Sequence, residues 1–503
     1  MRDQLKNPVF LISASVITIL VIIGAMNPEG FGAVAGALFE FTTVNFGWFY
    51  LISVFGFVIF LVALGLSKYG KIKIGPQNSK PEFPFFTWIG MLFSAGFGAG
   101  LVFWGVAEPM SHFFETPFSD LDAQTEEAAR VAMGYSFFHW GVNQWSVFAI
   151  VGLLIGFLQF RKDKKGLVST ALEPVLGKSK PVKYTIDSLA VIATVMGIAT
   201  SLGLGILQMN GGLHVVFGIP NNTTIQLVIT AVLLVLYLTS SSTGLEKGIK
   251  WLSNLNLSLC FLLLIFVFFA GPTVFILNSF TLGLGDYISN FVGYSLRLTP
   301  YQGGSWLREW TIFYWAWVIA WSPFVGAFVA RVSRGRTIRE FIFGVLIVPP
   351  LIACLWIAVF GGTALNSDLN NGTQIAEAVN NDVTVALFET FEFLPLTGLL
   401  SFLSILLIAT FLITSADSAT YILAGMTTNG SLTPTLAIKV IWGLLMAAIA
   451  GVLLVAGGLD ALQTASLVSA LPFTIIIILF VYAFIKMIRQ EPLPQRQVKK
   501  ENE

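Results

Sequence analysis

The segment Trp310-Thr-Ile-Phe-Tyr-Trp-Ala-Trp-Val-Ile-Ala-Trp-Ser-Pro-Phe324 decides how this chain is read. Trp310, Tyr314, Trp317 and Trp321 recur at i, i+4, i+7 and i+11. At about 100° per residue they share one face of a helix long enough to cross a membrane. Pro323 follows the stripe, and its position predicts an interruption of the helix there. Indoles beside a helix break at bilayer depth suit a solute that is positively charged but not a metal ion.

The surrounding chain has 503 residues, of which 55% are hydrophobic and 11% charged. Soluble domains carry about 25% charged residues. The chain therefore reads as an all-α polytopic membrane protein. A net charge of +1 gives no bulk attraction for nucleic acid. Cys260 and Cys354 sit inside apolar segments and read as small core residues, with no disulfide framework. His112, His139 and His214 show no metal-ligand spacing, and His139 reads as a satisfied structural group. Arg2 and Lys6 precede an apolar run without a clear small-residue cleavage pattern, so that run reads as the first span.

Segments of about 20 apolar residues can cross the hydrocarbon. Twelve occur, near 9–26, 47–67, 87–108, 133–159, 184–213, 223–242, 251–277, 306–330, 338–363, 395–427, 435–456 and 462–486. Alternate loops are basic: Lys68, Lys71 and Lys73; Arg161 to Lys183; and Arg331, Arg334, Arg336 and Arg339. The intervening loops 110–129 and 364–394 are acidic and carry no Lys or Arg. The positive-inside rule places the basic loops and both termini in the cytoplasm, which requires an even number of spans. Segment 278–305 is less apolar and reads as an extracellular interfacial helix. The tail 487–503 is short, polar and basic, suited to contact with anionic lipid.

Three further segments carry chemistry. The third span holds Gly96, Phe97, Gly98, Ala99 and Gly100. Glycine costs about 1 kcal/mol relative to alanine in a helix interior, so alternating glycines favour unwinding. Freed carbonyls can ligate Na+, and freed amides can receive a carboxylate. Close helix packing through small residues is the alternative. In the fourth span Trp140, Trp145 and Phe148 fan across roughly 140° of a regular helix. They form either a second aromatic wall or a row of packing rings. In the tenth span Thr414, Ser415 and Asp417 either face a cavity or join helices by hydrogen bonds. The fifth span, with Thr194, Gly197, Thr200, Gly203 and Gly205, is polar enough to face a cavity.

Taken in order, these segments and Gly326-Ala-Phe-Val-Ala-Arg-Val-Ser-Arg-Gly-Arg336 closely resemble the betaine/carnitine/choline transporter family. The closest pattern is that of its Na+-coupled glycine betaine carriers. The resemblance runs over nearly the whole chain. It implies a LeuT-like core of two inverted five-helix repeats within twelve transmembrane helices, usually assembled as a homotrimer in the cell membrane. Residues 1–86 would supply two peripheral spans, 87–277 the first repeat and 306–486 the second. The interfacial helix 278–305 would join the repeats, and 487–503 would form the tail. The glycine run and Pro323 would break the first helix of each repeat.

The resemblance assigns solute binding to Trp140, Trp145, Phe148, Trp317, Val318 and Trp321, and to Gly96, Phe97, Gly98, Ala99 and Gly100. Betaine carriers usually have Tyr at position 148 and often His at Asn143. Val318 replaces the second Trp of the family's Trp-Ala-Trp-Trp pattern. One missing ring weakens a quaternary ammonium by about 0.5–2 kcal/mol. Gly100 stands where proton-coupled choline members carry Asp, which favours a zwitterion. The main Na+ site would use Ser94, Phe97, Phe411, Thr414 and Ser415. A second would use Thr194 and Phe324, with Ile198 in place of its other Thr. Sodium-independent exchangers fill the first site with Arg and Met, and the interior of span 5 has no Arg or Lys.

The expectation is a secondary transporter that takes up a zwitterionic compatible solute with Na+ by alternating access, glycine betaine first. Carnitine, choline, ectoine, another amino-acid derivative or a sodium-independent exchange are the alternatives. No paired histidines, nucleophile elbow or acidic metal cluster supports an enzyme, and no cofactor is expected.

Overall fold

The computed structural model describes residues 2–96, 98–243, 246–301, 303–431 and 433–493. Among them the regular structure is helical, with one isolated bridge between Lys73 and Thr337. The main helices are α1 (Pro8–Met26), α2 (Pro28–Leu66), α3 (Phe85–Gly96), α4 (Ala99–Phe114) and α5 (Glu126–Trp140). They continue with α6 (Val142–Gly156), α7 (Val168–Leu176), α8 (Lys180–Phe217), α9 (Thr223–Thr243) and α10 (Glu246–Ala270). The remainder are α11 (Thr273–Ser295), α12 (Phe313–Val332), α13 (Ile338–Asn371), α14 (Thr397–Thr427) and α15 (Leu436–Ile488). Among the described residues, ten helical stretches are long and apolar enough to cross a membrane. A polytopic membrane protein follows.

Burial separates a centre from a periphery. The apolar windows of α5–α6, α8 and α12 are 89%, 83% and 78% buried, against 28% for α1, α9 and α10. Small residues draw the central helices together, as expected where lipid supplies no hydrophobic drive between helices. A Cβ on Gly152 would lie 3.0 Å from the Gly326 carbonyl oxygen, and one on Gly156 would lie 3.5 Å from Ala330 Cβ. α6 and α12 therefore run parallel. A Cβ on Gly197 would lie 2.9 Å from the Trp321 nitrogen, while Ser201 bonds the Trp317 indole. α8 and α12 therefore run antiparallel.

Of the expected helix interruptions, the one in the glycine run is present and the one at Pro323 is not. α3 and α4 are separated at Gly98, whose backbone is extended (φ −168°, ψ 170°). A second break at Gly141 separates α5 from α6 and was not anticipated. The Tyr287 hydroxyl stabilises it by accepting the Val142 N–H at 2.8 Å. Gly457 and Gly458 break α15, with Gly458 at φ +58°. Pro323, expected to interrupt its helix, lies inside continuous α12. Proline orphans the carbonyl four residues back. Here that is Ile319, and the Ser322 hydroxyl donates to it at 2.7 Å. The helix expected over 278–305 is α11, with different bounds: it begins at Thr273 because Gly271-Pro272 ends α10 early, and it stops at Ser295. The second span is likewise longer than expected, because Asn27 caps Gly30 N–H at 3.0 Å and Pro28 opens the helix.

The basic loops fold onto one another. Ile74 N–H donates to Arg336 O at 2.8 Å and Gly335 N–H to Ile74 O at 2.7 Å. Arg336 lies 4.7 Å from the Trp88 ring, and the Trp88 indole donates to Ser333. At the end of the described chain Glu491 accepts from Arg161 Nε at 2.6 Å and pairs with Lys162. Burial raises the Glu491 carboxyl, but Lys162 and Arg161 outweigh it and hold it below its ordinary value. A depressed acid stabilises above its unfolded pKa and loses that contribution as pH falls through the folded value. The clamp is thus complete at neutral pH and opens only as pH falls below the ordinary carboxylate range. Glu491→Gln should speed tryptic cleavage after Arg489 at neutral pH by at least about 3-fold. An unchanged cleavage rate would show that the clamp does not hold this end.

Candidate functional site

The break in the third span lies under two indoles. Gly98 caps α4 without a side-chain hydrogen bond, and Val102 N–H is the first to bond back into the turn, to Gly98 O. Ala99, Gly100 and Leu101 form the first turn, whose N–H groups have no acceptor within α4 itself. A Cβ on Gly100 would lie 2.6 Å from Trp317 Cη2 and 3.6 Å from Trp140 Cη2. Only glycine lets Trp317 come this close, while Trp140 sits at ordinary contact distance. Gly96 ends α3 and Ala99 opens α4. Phe97 lies outside the described residues, as does the side chain of Ser94.

The rings form two walls. On α12, Phe313, Trp317, Trp321 and Phe324 stack in near-parallel steps of 2°, 9° and 14°, with centroids 5.9–6.0 Å apart. Trp140 meets Trp317 edge-on at 6.1 Å and 82°. Phe148 meets Trp321 at 5.9 Å and 78°, and Trp145 meets Phe148 at 5.3 Å. Trp140, Trp145, Phe148 and Trp317 are buried, while Trp321 and Phe324 are half-buried. Val318 is fully buried next to Trp317 in the chain. The structure thus brings the aromatic candidates from spans 4 and 8 into contact with one another, with Trp317 and Trp140 reaching Gly100.

Two parts of the stripe reading change. Trp310 leaves the stack and packs on His112 at 4.5 Å and Trp104 at 5.3 Å. A π-helical turn at Arg308–Ile312 inserts one residue and rotates it away, so Phe313 takes the outer step. The regular-helix fan of Trp140, Trp145 and Phe148 also fails, since Gly141 breaks the helix between them. Asn143 faces α11, donating to Ser295 Oγ at 3.0 Å, so it is no part of the ring walls.

Glu108 went unnoticed in the sequence, although a carboxylate inside an apolar span is itself a signal. It is fully buried. Its Oε2 accepts the Trp140 indole N–H at 2.9 Å and the Tyr314 hydroxyl. Its Oε1 lies 2.6 Å from His139 Nδ1 and 3.3 Å from His112 Nε2. His139 Nε2 reaches Thr311 Oγ1 at 2.8 Å. His112 and His139, unrelated by spacing, thus meet at one carboxylate. The two imidazoles already occupy Oε1, so the trio forms a hydrogen-bond network.

The proposed ion ligands are partly gathered. Thr414 Oγ1 donates to Thr410 O at 3.0 Å or Phe411 O at 3.1 Å, and accepts from Asn256 Nδ2 at 3.3 Å. Thr414 and Ser415 are half-buried on α14. Asp417 instead bonds Ser240 at 2.8 Å and joins α14 to α9. Thr194 donates to Ala190 O at 2.7 Å. The antiparallel register of α8 and α12 places its turn beside that of Phe324. The rest of that span packs rather than lining a cavity. Thr200 bonds Ser466 and Leu462, Gly203 faces Leu462, and Gly205 faces Leu412.

Gly100→Ala would drive a methyl group into Trp317. Overpacking of this kind costs about 1–3 kcal/mol. Purified protein should unfold at lower temperature, with tryptophan emission altered as the ring moves. Unchanged stability and emission would refute the close approach.

The profile of betaine/carnitine/choline family transporters matches residues 8–493. An ectoine/hydroxyectoine transporter of Virgibacillus pantothenticus is 68% identical over 97% of both chains. The glycine betaine transporter OpuD of Bacillus subtilis (strain 168) is 46% identical over 98% of this chain and 96% of its own. A probable glycine betaine transporter of Desulfitobacterium hafniense (strain Y51) is 45% identical over 97% of this chain and 99% of its own. A broken membrane helix roofed by indoles and a match over nearly the full length agree: this chain belongs to the betaine/carnitine/choline transporter family.

Proposed function

We propose that this protein imports a zwitterionic compatible solute together with Na+, by alternating access around the Gly98 break. The observation that carries the reading is Gly100, held against Trp317 and Trp140 at the open amino end of α4. A carboxylate suits the free amides of that turn. A cationic group suits the indole faces. A zwitterion matches both poles within one small site.

For the solute, the reading favours ectoine, a cyclic amidinium carboxylate. A flat delocalised cation stacks on aromatic faces as guanidinium does. The near-parallel rings of α12 present such faces, and Val318 removes a ring that would help enclose a round trimethylammonium group. The 68% identical relative supports the same choice. Glycine betaine is the second reading, supported by the two relatives near 45% identity and by Gly100 where choline carriers have Asp.

For the ion, Thr414 and Ser415 offer hard oxygens, with Ser94 and Phe97 of the broken span as the inferred remainder. Thr194 and Phe324 are a weaker second set. We read twelve crossings. α3–α4 and α5–α6 each make one, α15 makes two at its Gly457–Gly458 break, and α11 makes none. The two inverted repeats, the homotrimer, the cell membrane location and the cytoplasmic termini belong to the same reading.

Proteoliposomes loaded without Na+ should accumulate labelled ectoine when Na+ is added outside, and unlabelled ectoine should compete at lower concentration than glycine betaine. Uptake indifferent to the Na+ gradient would refute coupling, and stronger competition by glycine betaine would reverse the solute order. Thr414→Ala should raise the Na+ concentration for half-maximal uptake by about 10-fold or more, the loss of one charged-group ligand. An unchanged Na+ dependence would remove Thr414 from the ion site.

A further inference from the structure

Four donors converge on Glu108, which no solute or ion assignment uses. Trp140 Nε1–H can only donate, and it points at Oε2 from 2.9 Å. The Tyr314 hydroxyl donates to the same oxygen. His139 satisfies both of its contacts when Nδ1–H donates to Oε1 and Nε2 accepts from Thr311. His112 donates from Nε2, and its Nδ1 has no partner, which fits a neutral ring. Four donors matched to four acceptor positions describe an ionised carboxylate flanked by two neutral imidazoles.

The four indoles of the aromatic walls, Trp140, Trp145, Trp317 and Trp321, are not equivalent. Trp317 donates to the neutral Ser201 hydroxyl at 3.2 Å, and Trp145 Nε1 has no partner. Among the described residues, Trp140 is the one of these four whose indole donates to a carboxylate. Its opposite edge, at Cη2, reaches the position above Gly100. The indole therefore spans the distance from a buried negative charge to the proposed solute site. A carboxylate bonded to an indole N–H pushes electron density into the ring and makes its face more negative. The surroundings are dry, so the charge is weakly screened.

We propose that Glu108 is a specificity-determining positioning residue: it orients Trp140 and charges its ring, so that the site discriminates cationic from neutral head groups. The proposal rests on the reading of Trp140 as a wall of the solute site. It assigns the cationic pole of the solute to Trp140 in preference to Trp317 or Trp145.

The test compares solutes of the same shape that differ only in charge. One pair is glycine betaine and 3,3-dimethylbutyrate, in which carbon replaces the ammonium nitrogen. The other is ectoine and the methylcyclohexenecarboxylate in which ring carbons replace both nitrogens. Binding is measured by tryptophan fluorescence on the purified full-length protein with Na+ present. Wild type should prefer the cationic member of at least one pair. Failure to bind either cation, or equal binding within both pairs, would overturn the solute-site reading itself. Glu108→Gln should weaken the preferred cation by about 5- to 30-fold and its neutral partner by less than about 2-fold. Tyr314→Phe frees Oε2 for Trp140 alone, and should keep or raise the preference for the cation. Equal weakening of both members in both variants, or no change in Glu108→Gln, would reduce Glu108 to a structural role. If Glu108→Gln does not fold, Tyr314→Phe decides alone, and a fall in its preference overturns the proposal.

Discussion

Peptide groups in the interior of a membrane must find hydrogen-bond partners, and an interrupted helix survives there only when it is enclosed. The break at Gly98 imposes that demand on the whole centre of this molecule. The first turn of α4 has no acceptor within its own helix for its N–H groups. Two indole edges flank that turn, and Gly100 is the residue that lets Trp317 come so close. The parallel contact of α6 with α12 and the antiparallel contact of α8 with α12 then hold those indoles in place. Each contact depends on a glycine at the crossing.

Glu108 ties the same centre together from the other side. It belongs to α4, and its partners Trp140 and His139 end α5 while Tyr314 begins α12. One carboxylate therefore links the broken span to both aromatic walls. Breaking such a network at one member leaves buried groups unpaired, which costs more than the individual bond is worth. Rigidity of the rings and satisfaction of the charge are the same arrangement seen from two ends.

Motifs that mark the family need not act on the solute. Within the block from Gly326 to Arg336, Gly326 makes the crossing with Gly152, Ser333 bonds Trp88, and Arg336 lies over the Trp88 ring. Asp417, beside the inferred ion ligands Thr414 and Ser415, joins α14 to α9. Pro323 is a more instructive case. A proline after an aromatic stripe looks like a helix stop, yet the preceding serine supplies the missing hydrogen bond and the helix continues.

The amino-acid sequence alone determined the membrane class, most of the apolar segments, the break in the glycine run, and Trp140, Trp145, Phe148, Trp317 and Trp321 as wall residues. These follow from composition and local periodicity, which depend on near neighbours in the chain. Tertiary structure decided the rest. The π turn at Arg308–Ile312 removed Trp310 from the stack, and the break at Gly141 defeated the regular-helix fan of the fourth span. The meeting of Glu108, His112 and His139 joined residues 31 apart in sequence. Such features arise where a distant partner offers a backbone or side-chain group a better bond than its own helix does. Tyr287 at Val142 is one such partner, and no periodicity along the chain records it.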